Sequence, residues 1–232
     1  HPMFPERVSA LRERAAAVAV DRPLSAELTE GFPRLQAKIL GFTQPLGAVL
    51  RKYPITDLSV PARYARAIAD HRLGRLDEAL SEIDAVLIQN PKDAYALELR
   101  GQILLESGKL ADAIRDYTAA VALAPKEPLI RVGLGSALVA TNDAAQAPAA
   151  IDALRTALLQ ERDNGDGWRL LALAYGRTGD VGQAALASAE QFMLGGSPKE
   201  AARFADQAIR RLDPGSPGYL RAQDIKRAAE NG

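Results

Sequence analysis

The sequence predicts an all-α solenoid of antiparallel helix hairpins, about a dozen helices with no sheet. Three observations lead there. The first is self-similarity: LDEALSEIDAVLIQNPKD at 76–93 realigns on LADAIRDYTAAVALAPKE at 110–127 with a constant offset of 34 residues. Leu76 then pairs with Leu110, Ala79 with Ala113, Ile83 with Tyr117 and Pro91 with Pro125, and upstream Gly74 pairs with Gly108. A fixed period of roughly 20–50 residues signals stacked units that bury a core only against their neighbours. The second is composition, with 5% aromatics and Ala the commonest residue. Ala has the best helix propensity and lets helix backbones approach closely. The third is that the apolar spacing stays helical wherever the repeat is weak.

The elements follow in chain order. Phe4 to Ala19 reads as a helix introduced by Pro5, Glu6 and Arg7, and Ser25 to Phe42 carries Leu28, Leu35, Ile39 and Leu40 on one stripe, with Pro33 expected to break or start it. Gln44 to Tyr53 is a shorter helix closed by Pro54. The repeat array spans 58–232, with units near 60–93, 94–127, 128–164 and 165–197 and a final hairpin at 198–232. Its period is that of the tetratricopeptide repeat, which sets small residues where paired helices touch and a Pro after the second helix. In the second unit these are Gly101, Ala113, Ala120 and Pro125, with Tyr117 expected to fill the gap to the next hairpin. Gly135 repeats the phase of Gly101, and Pro148 falls in the first turn of that unit's second helix, where a missing N–H costs least. The fourth unit begins at Trp168, with Tyr175, Gly179 and Ala184 in phase after a three-residue shift through ERDNGDG at 161–167. Pro198 to Leu212 and Ser216 to Glu230 make the last hairpin about the turn DPGSPG at 213–218. Residues 21–57 precede the array as capping helices.

Little in the chain carries chemistry. Lys plus Arg and Asp plus Glu both number 29, so no basic field collects phosphates and nucleic acid is not an expected partner. There is no apolar run of the ~20 residues a membrane span needs. Zero Cys excludes disulfides and thiolate catalysis, and the two His, His1 and His71, form no H-E-x-x-H. Gly133-Leu134-Gly135 lies inside a helical segment without a preceding strand, so it reads as helix packing rather than a dinucleotide fingerprint. Asp163 to Asp166 reads as a turn, because the Glu that would close a calcium loop is missing. No catalytic residue and no cofactor is therefore assigned to this chain.

What remains is a groove. In a tetratricopeptide solenoid the first helix of each hairpin lines the concave face, at about positions 2, 5, 9 and 12 of the repeat. Counted along this chain, those are Tyr64, Ile68 and His71; then Tyr95, Glu98, Gln102 and Leu105; then Leu129, Val132, Ser136 and Val139; and finally Asp166, Arg169 and Leu173. The mixture of apolar, polar and Tyr side chains suits a protein segment. His71 reads either as a pH-sensitive contact or as a solvated helix-end residue. The Lys/Asn clamp by which chaperone-tail receptors hold a terminal carboxylate is absent, since neither ARYARAIADHRLG nor AYALELRGQILLE contains Lys or Asn.

The first residues carry a resemblance. His1-Pro2, with Arg7 and then Val8, resembles the His-Pro-x4-Arg-[Val/Ile] element that closes the peptidase domain of membrane-associated zinc metallopeptidases. In their repeat-bearing branch, the BepA-like periplasmic proteases, that element leads into a helix and then the repeats, and NGDGWRLL at 164–171 resembles a late repeat of that branch. The resemblance implies that residues 1–20 are the tail of a peptidase domain with its linking helix. It implies zinc in that upstream domain, a periplasmic or envelope location, and His1 near the metal of an intact parent; otherwise His1 is a hinge or a residue left by a tag. The chain itself is then a non-catalytic interaction domain, presenting or gating substrates and assembly partners in outer-membrane protein quality control, and its own peptidase domain is an expected partner. The alternative is a free-standing scaffold or co-chaperone.

Overall fold

The computed structural model describes residues 26–231, and within that range every regular element is helical, with no strand. The predicted helix at Phe4–Ala19 and the role of His1 lie outside the described residues. The helices are α1 (Ala26–Thr43), α2 (Leu46–Lys52), α3 (Val60–Arg72), α4 (Leu76–Gln89), α5 (Ala94–Glu106), α6 (Leu110–Leu123), α7 (Pro128–Ala140), α8 (Ala147–Leu158), α9 (Gly165–Thr178), α10 (Val181–Leu194), α11 (Pro198–Ile209) and α12 (Pro217–Asn231). A short 3-10 turn, Ala144–Gln146, precedes α8.

Local chemistry sets where helices start and stop. Asp93, Asn164 and Asp180 accept hydrogen bonds from the first free N–H groups of α5, α9 and α10. Ser59 does the same for α3 at 3.4 Å. Inside each of the five hairpins from α3/α4 to α11/α12 the chain reverses through a left-handed residue: Gly74 (φ 71°), Gly108 (φ 74°), Asn142 (φ 56°), Gly179 (φ 78°) and Gly215 (φ 80°). Asn142 stands one period after Gly108 and is a residue type that tolerates this conformation. The same phase in the first described hairpin is Leu40, which cannot turn the chain, so α1 runs on to Thr43 and α2 is left with 7 residues. Pro33 neither breaks nor starts α1; it sits inside a continuous helix.

Consecutive hairpins, α3/α4, α5/α6, α7/α8, α9/α10 and α11/α12, stack through an Ala-rich interior. Helix starts at 26, 60, 94 and 128 keep the 34-residue period, and α9 begins three residues late, at 165, after the Leu159–Asn164 connection. Tyr117 is the wedge between hairpins: a Cβ at Gly101 would meet its ring at 3.0 Å, and one at Gly133 at 2.3 Å. Gly135 is packed against Leu154 in the same way, at 2.5 Å. The largest cores group Tyr64, Ile83, Ile103 and Tyr117, and then Leu138, Leu154 and Leu171. The C-terminal end is closed by Ala201, Ala205 and Ile225, with Phe192 stacked on Phe204 at 5.2 Å.

Two ion pairs, each with one buried partner, also follow the repeat. Arg66 is buried and reaches Glu82 at 2.7 and 3.0 Å, while donating to the carbonyls of Pro54 and Asp57 at 2.8 and 2.9 Å. One period later, Arg100 reaches Asp116 at 2.6 and 3.0 Å and Asp84 at 2.8 Å. Each pair ties the two helices of its hairpin through a bidentate contact.

Candidate functional site

The residues predicted for the concave face form rows that step from one hairpin to the next. Tyr95, Leu129 and Asp166 make one row; Tyr64, Glu98, Val132 and Arg169 a second; Ile68, Gln102, Ser136 and Leu173 a third; His71, Leu105 and Val139 a fourth. Exposure rises toward the C-terminal end along the first three rows, whereas the fourth passes from half-buried His71 and Leu105 to buried Val139. Tyr64 and Ile68 are buried, Glu98, Gln102, Val132 and Ser136 are half-buried, and Arg169 and Leu173 are exposed.

The cause is α1. It runs parallel to α3 and lies across the N-terminal end of the groove, with Arg34 near Tyr64 and Gly41 on Ile68. A Cβ at Gly41 would meet the Ala65 carbonyl oxygen and Ile68 Cβ at 2.9 Å, so the two backbones are as close as helices pack. The Arg34 guanidinium stacks over the Tyr64 ring at 4.7 Å and the Tyr95 ring at 5.6 Å, and pairs with Asp93 at 2.8 Å. Lys38 approaches Glu98 at 3.9 Å. Arg72 of α3 donates to the carbonyls of Gly41 and Gln44, both at 3.0 Å, and holds the end of α1 down.

Tyr64 and Ile68 are therefore corrected from open groove residues to core. The Tyr64 hydroxyl donates to the Tyr95 carbonyl at 3.3 Å, and burial pushes its pKa well above the ordinary phenol range. Val139 is likewise buried, its carbonyl taken by the Arg177 guanidinium. Leu105 packs at the margin of the core. The His71 side chain is mostly buried and pairs through Nε2 with Glu106 at 2.8 Å, and Gln102 donates to the same carboxylate at 3.0 Å. It is an inter-hairpin contact rather than a solvated helix end. Glu98 is held half-buried beneath α1, and burial raises its pKa against the pull of Lys38 and Arg34.

The open part of the groove runs over Tyr95, Leu129, Arg169 and Leu173. Tyr95 is 44% exposed, Leu129 62% and Leu173 46%, with Val132 and Ser136 between them. Arg169 pairs with Asp166 at 3.3 Å on the rim. Partly exposed aromatic and aliphatic anchors among polar neighbours are what a docked peptide or helix uses.

Sequence reasoning missed Arg34, Lys38 and Asp93, the groups that latch α1. Their signal was present: α1 begins one period before α3, and Arg34 and Lys38 are spaced i,i+4 on one helix face. Among the described residues no group of three or more His, Cys, Asp or Glu is placed to hold a metal ion. The zinc implied by the resemblance thus has no ligand set among them. No helix of the described residues is long and apolar enough to cross a membrane.

Comparison with known proteins agrees with the repeat. Residues 64–128 and 104–172 match tetratricopeptide-repeat families, so that stretch carries tetratricopeptide repeats. Over 93% of its length the chain is 27% identical to a beta-barrel assembly-enhancing protease of Yersinia pestis and 26% identical to that of Escherichia coli K12, covering 45% and 44% of those proteins. It spans a little under half the length of these relatives. Among solved structures, MamA (residue 41 to the end) of Desulfovibrio magneticus RS-1 superposes with a TM-score of 0.56 at 16% identity, covering 74% of this chain and 93% of that one. Another MamA crystal structure superposes with a TM-score of 0.56 at 20% identity, covering 74% and 94%. At these identities the structural likeness establishes the solenoid fold.

Proposed function

We propose that this chain, a tetratricopeptide-repeat solenoid similar over most of its length to beta-barrel assembly-enhancing proteases, is the protein-binding part of an envelope zinc endopeptidase. In this reading it cleaves nothing by itself. It captures unfolded or assembling outer-membrane proteins and hands them to, or withholds them from, a peptidase domain that supplies the zinc chemistry. The observation that carries the reading is the open half of the groove, where Tyr95 and Leu129 stand exposed one period apart and Leu173 is exposed on the next hairpin. A strand-forming or amphipathic segment laid along it would bury these anchors in turn, and a few such anchors supply most of an interface's affinity. The similarity to proteases named for β-barrel assembly supports the partner class and the envelope location.

The test is binding of a urea-unfolded, dye-labelled outer-membrane β-barrel protein to the full chain, followed by fluorescence anisotropy on dilution. The double variant Leu129→Ser, Leu173→Ser is expected to weaken binding at least ~10-fold, with helical circular dichroism and melting unchanged because both side chains are exposed. Undiminished affinity in the folded variant would overturn the assignment of the groove.

A further inference from the structure

A cleft of about 420 Å³ opens between α2, α3 and α4, and it shares no residue with the rows of the concave groove. It exists because α2 is short. The second helices α4 and α6 have 14 residues each, whereas α2 has 7. Leu46, the first residue of α2, stands one period before Leu80, so α2 lacks a counterpart of the turn that begins α4 at Leu76. In the next hairpin Leu76 and Leu80 pack at the margin of the core that holds Leu104. At α2 that place is open, with Leu46, Leu50 and Ile55 as an apolar wall, and Ile55 is 74% exposed.

Asp70, on the opposite wall, is the residue out of place. One and two periods after it stand Leu104 and Leu138, both core. It lies in the last turn of α3, where the helix dipole disfavours a negative charge, and its side chain is only 10% exposed. Among the described residues its carboxylate accepts no hydrogen bond. The nearest partner is Arg75 Nε at 3.4 Å, and that guanidinium donates instead to Glu78 at 3.2 and 3.0 Å. Arg66, deeper in the cleft, is engaged by Glu82 and by the carbonyls of Pro54 and Asp57. Burial raises the Asp70 pKa, and Glu78 and Glu82 push it the same way, against the pull of Arg75 and Arg66. Asp77 stands exposed at the mouth without an ion pair among the described residues. Four carboxylates line the cleft against two guanidinium groups, so its charge is negative. A carboxylate buried beside an apolar wall without a donor is costly until a cation reaches it.

We propose that this cleft takes an arginine side chain of a protein partner. The alkyl stem lies along Leu46 and Leu50, the guanidinium reaches Asp70, and Asp77 holds it at the mouth. Arginine fits better than lysine, because the guanidinium is the less strongly hydrated cation and loses less on entering a half-buried site. The contact is a second point of attachment, independent of what the concave groove binds.

The test is a nuclear magnetic resonance titration of the full chain with Nα-acetyl-arginine methylamide, with the citrulline analogue as its uncharged counterpart. The arginine probe is expected to shift the amides around Asp70, Asp77 and Ile55 saturably, with a Kd of about 1–10 mM for a molecule of this size. The citrulline probe should bind at least ~10-fold more weakly. Asp70→Asn should remove that preference, and Asp77→Asn should reduce it a few-fold. Asp112→Asn, in the first turn of α6, should leave it unchanged. Asp70→Leu installs the residue found at this phase in the next two hairpins, and it should abolish binding while raising the melting temperature. Equal affinity for the two probes, or shifts that survive Asp70→Asn, would overturn the proposal. A lower melting temperature in both Asp70→Asn and Asp70→Leu would overturn it too, since the carboxylate would then serve only as a structural partner of Arg75. A response of the same amides to millimolar Ca2+ but not to the arginine probe would make the cleft a metal site instead.

Discussion

Glycines in this molecule divide by what their missing Cβ would meet, and that division is measurable. At Gly133 a Cβ would stand 2.3 Å from the Tyr117 ring, so Gly133→Ala must push a fully packed aromatic aside. It is expected to destabilise the chain by about 1–3 kcal/mol in urea unfolding, as overpacking does. Gly176, in the last turn of α9, has nothing within 4 Å of where a Cβ would stand, and Gly176→Ala is expected to stabilise by up to about 0.5 kcal/mol through helix propensity alone. Glu98 gives a pH signature. Burial raises its folded pKa, so the folded state holds its proton where the unfolded chain has already lost it. The group therefore favours folding below the ordinary carboxylate range, and that contribution is lost as pH rises through the raised folded value. Glu98→Gln removes the loss, and urea titrations at pH 4.5 and pH 7 should show the variant gaining on the parent chain at the higher pH.

At the scale of elements, the repeated ion pairs and the α1 latch make different demands. Arg66 is buried among Glu82 and three backbone carbonyls, so Arg66→Ala leaves Glu82 with Arg63 alone at 3.1 Å and takes a buried donor from each of the carbonyls. A loss of about 3–5 kcal/mol is expected, read as a lower urea midpoint with an unchanged slope. Arg34 and Lys38 act instead on one helix. Arg34→Ala with Lys38→Ala removes the stacking on Tyr64 and Tyr95 and the pairs to Asp93 and Glu98. Hydrogen exchange should then quicken in α1 while α5 to α8 keep their protection. Unchanged α1 protection would mean that packing at Ala37 and Gly41 alone holds the helix.

For the whole molecule, each hairpin packs mainly against its neighbours, with Arg34 and Lys38 of α1 reaching past α3 to α5, so stability is approximately a sum of local and interfacial contributions. Damage at an end stays at that end. Ala205→Asp buries a charge between α11 and α12 and is expected to unfold that terminal hairpin alone, leaving native exchange rates in α5 to α8. Much of this architecture was legible in advance. The 34-residue period located the hairpins, the packing glycines and the Tyr117 wedge, because those features recur at fixed spacing along the chain. Two features were not. Asn142 takes the left-handed turn that Gly holds elsewhere, and α1 continues through Pro33, where the sequence leads one to expect a break or a start. Both are single departures from the repeat, and periodicity shows a rule more readily than its exception.

By itself, the sequence determined the helix periods, the order of the hairpins and the rows of residues facing the concave side, because each follows from spacing along one helix. Tertiary structure alone decided which of those residues are open. Tyr64 and Ile68 sit in the same rows as Arg169 and Leu173, yet the first two are core and the last two are surface. The difference is α1, brought down onto α3 by Gly41, Arg34 and Arg72, and the position of one helix against another depends on contacts between residues far apart in the chain, which no local pattern encodes.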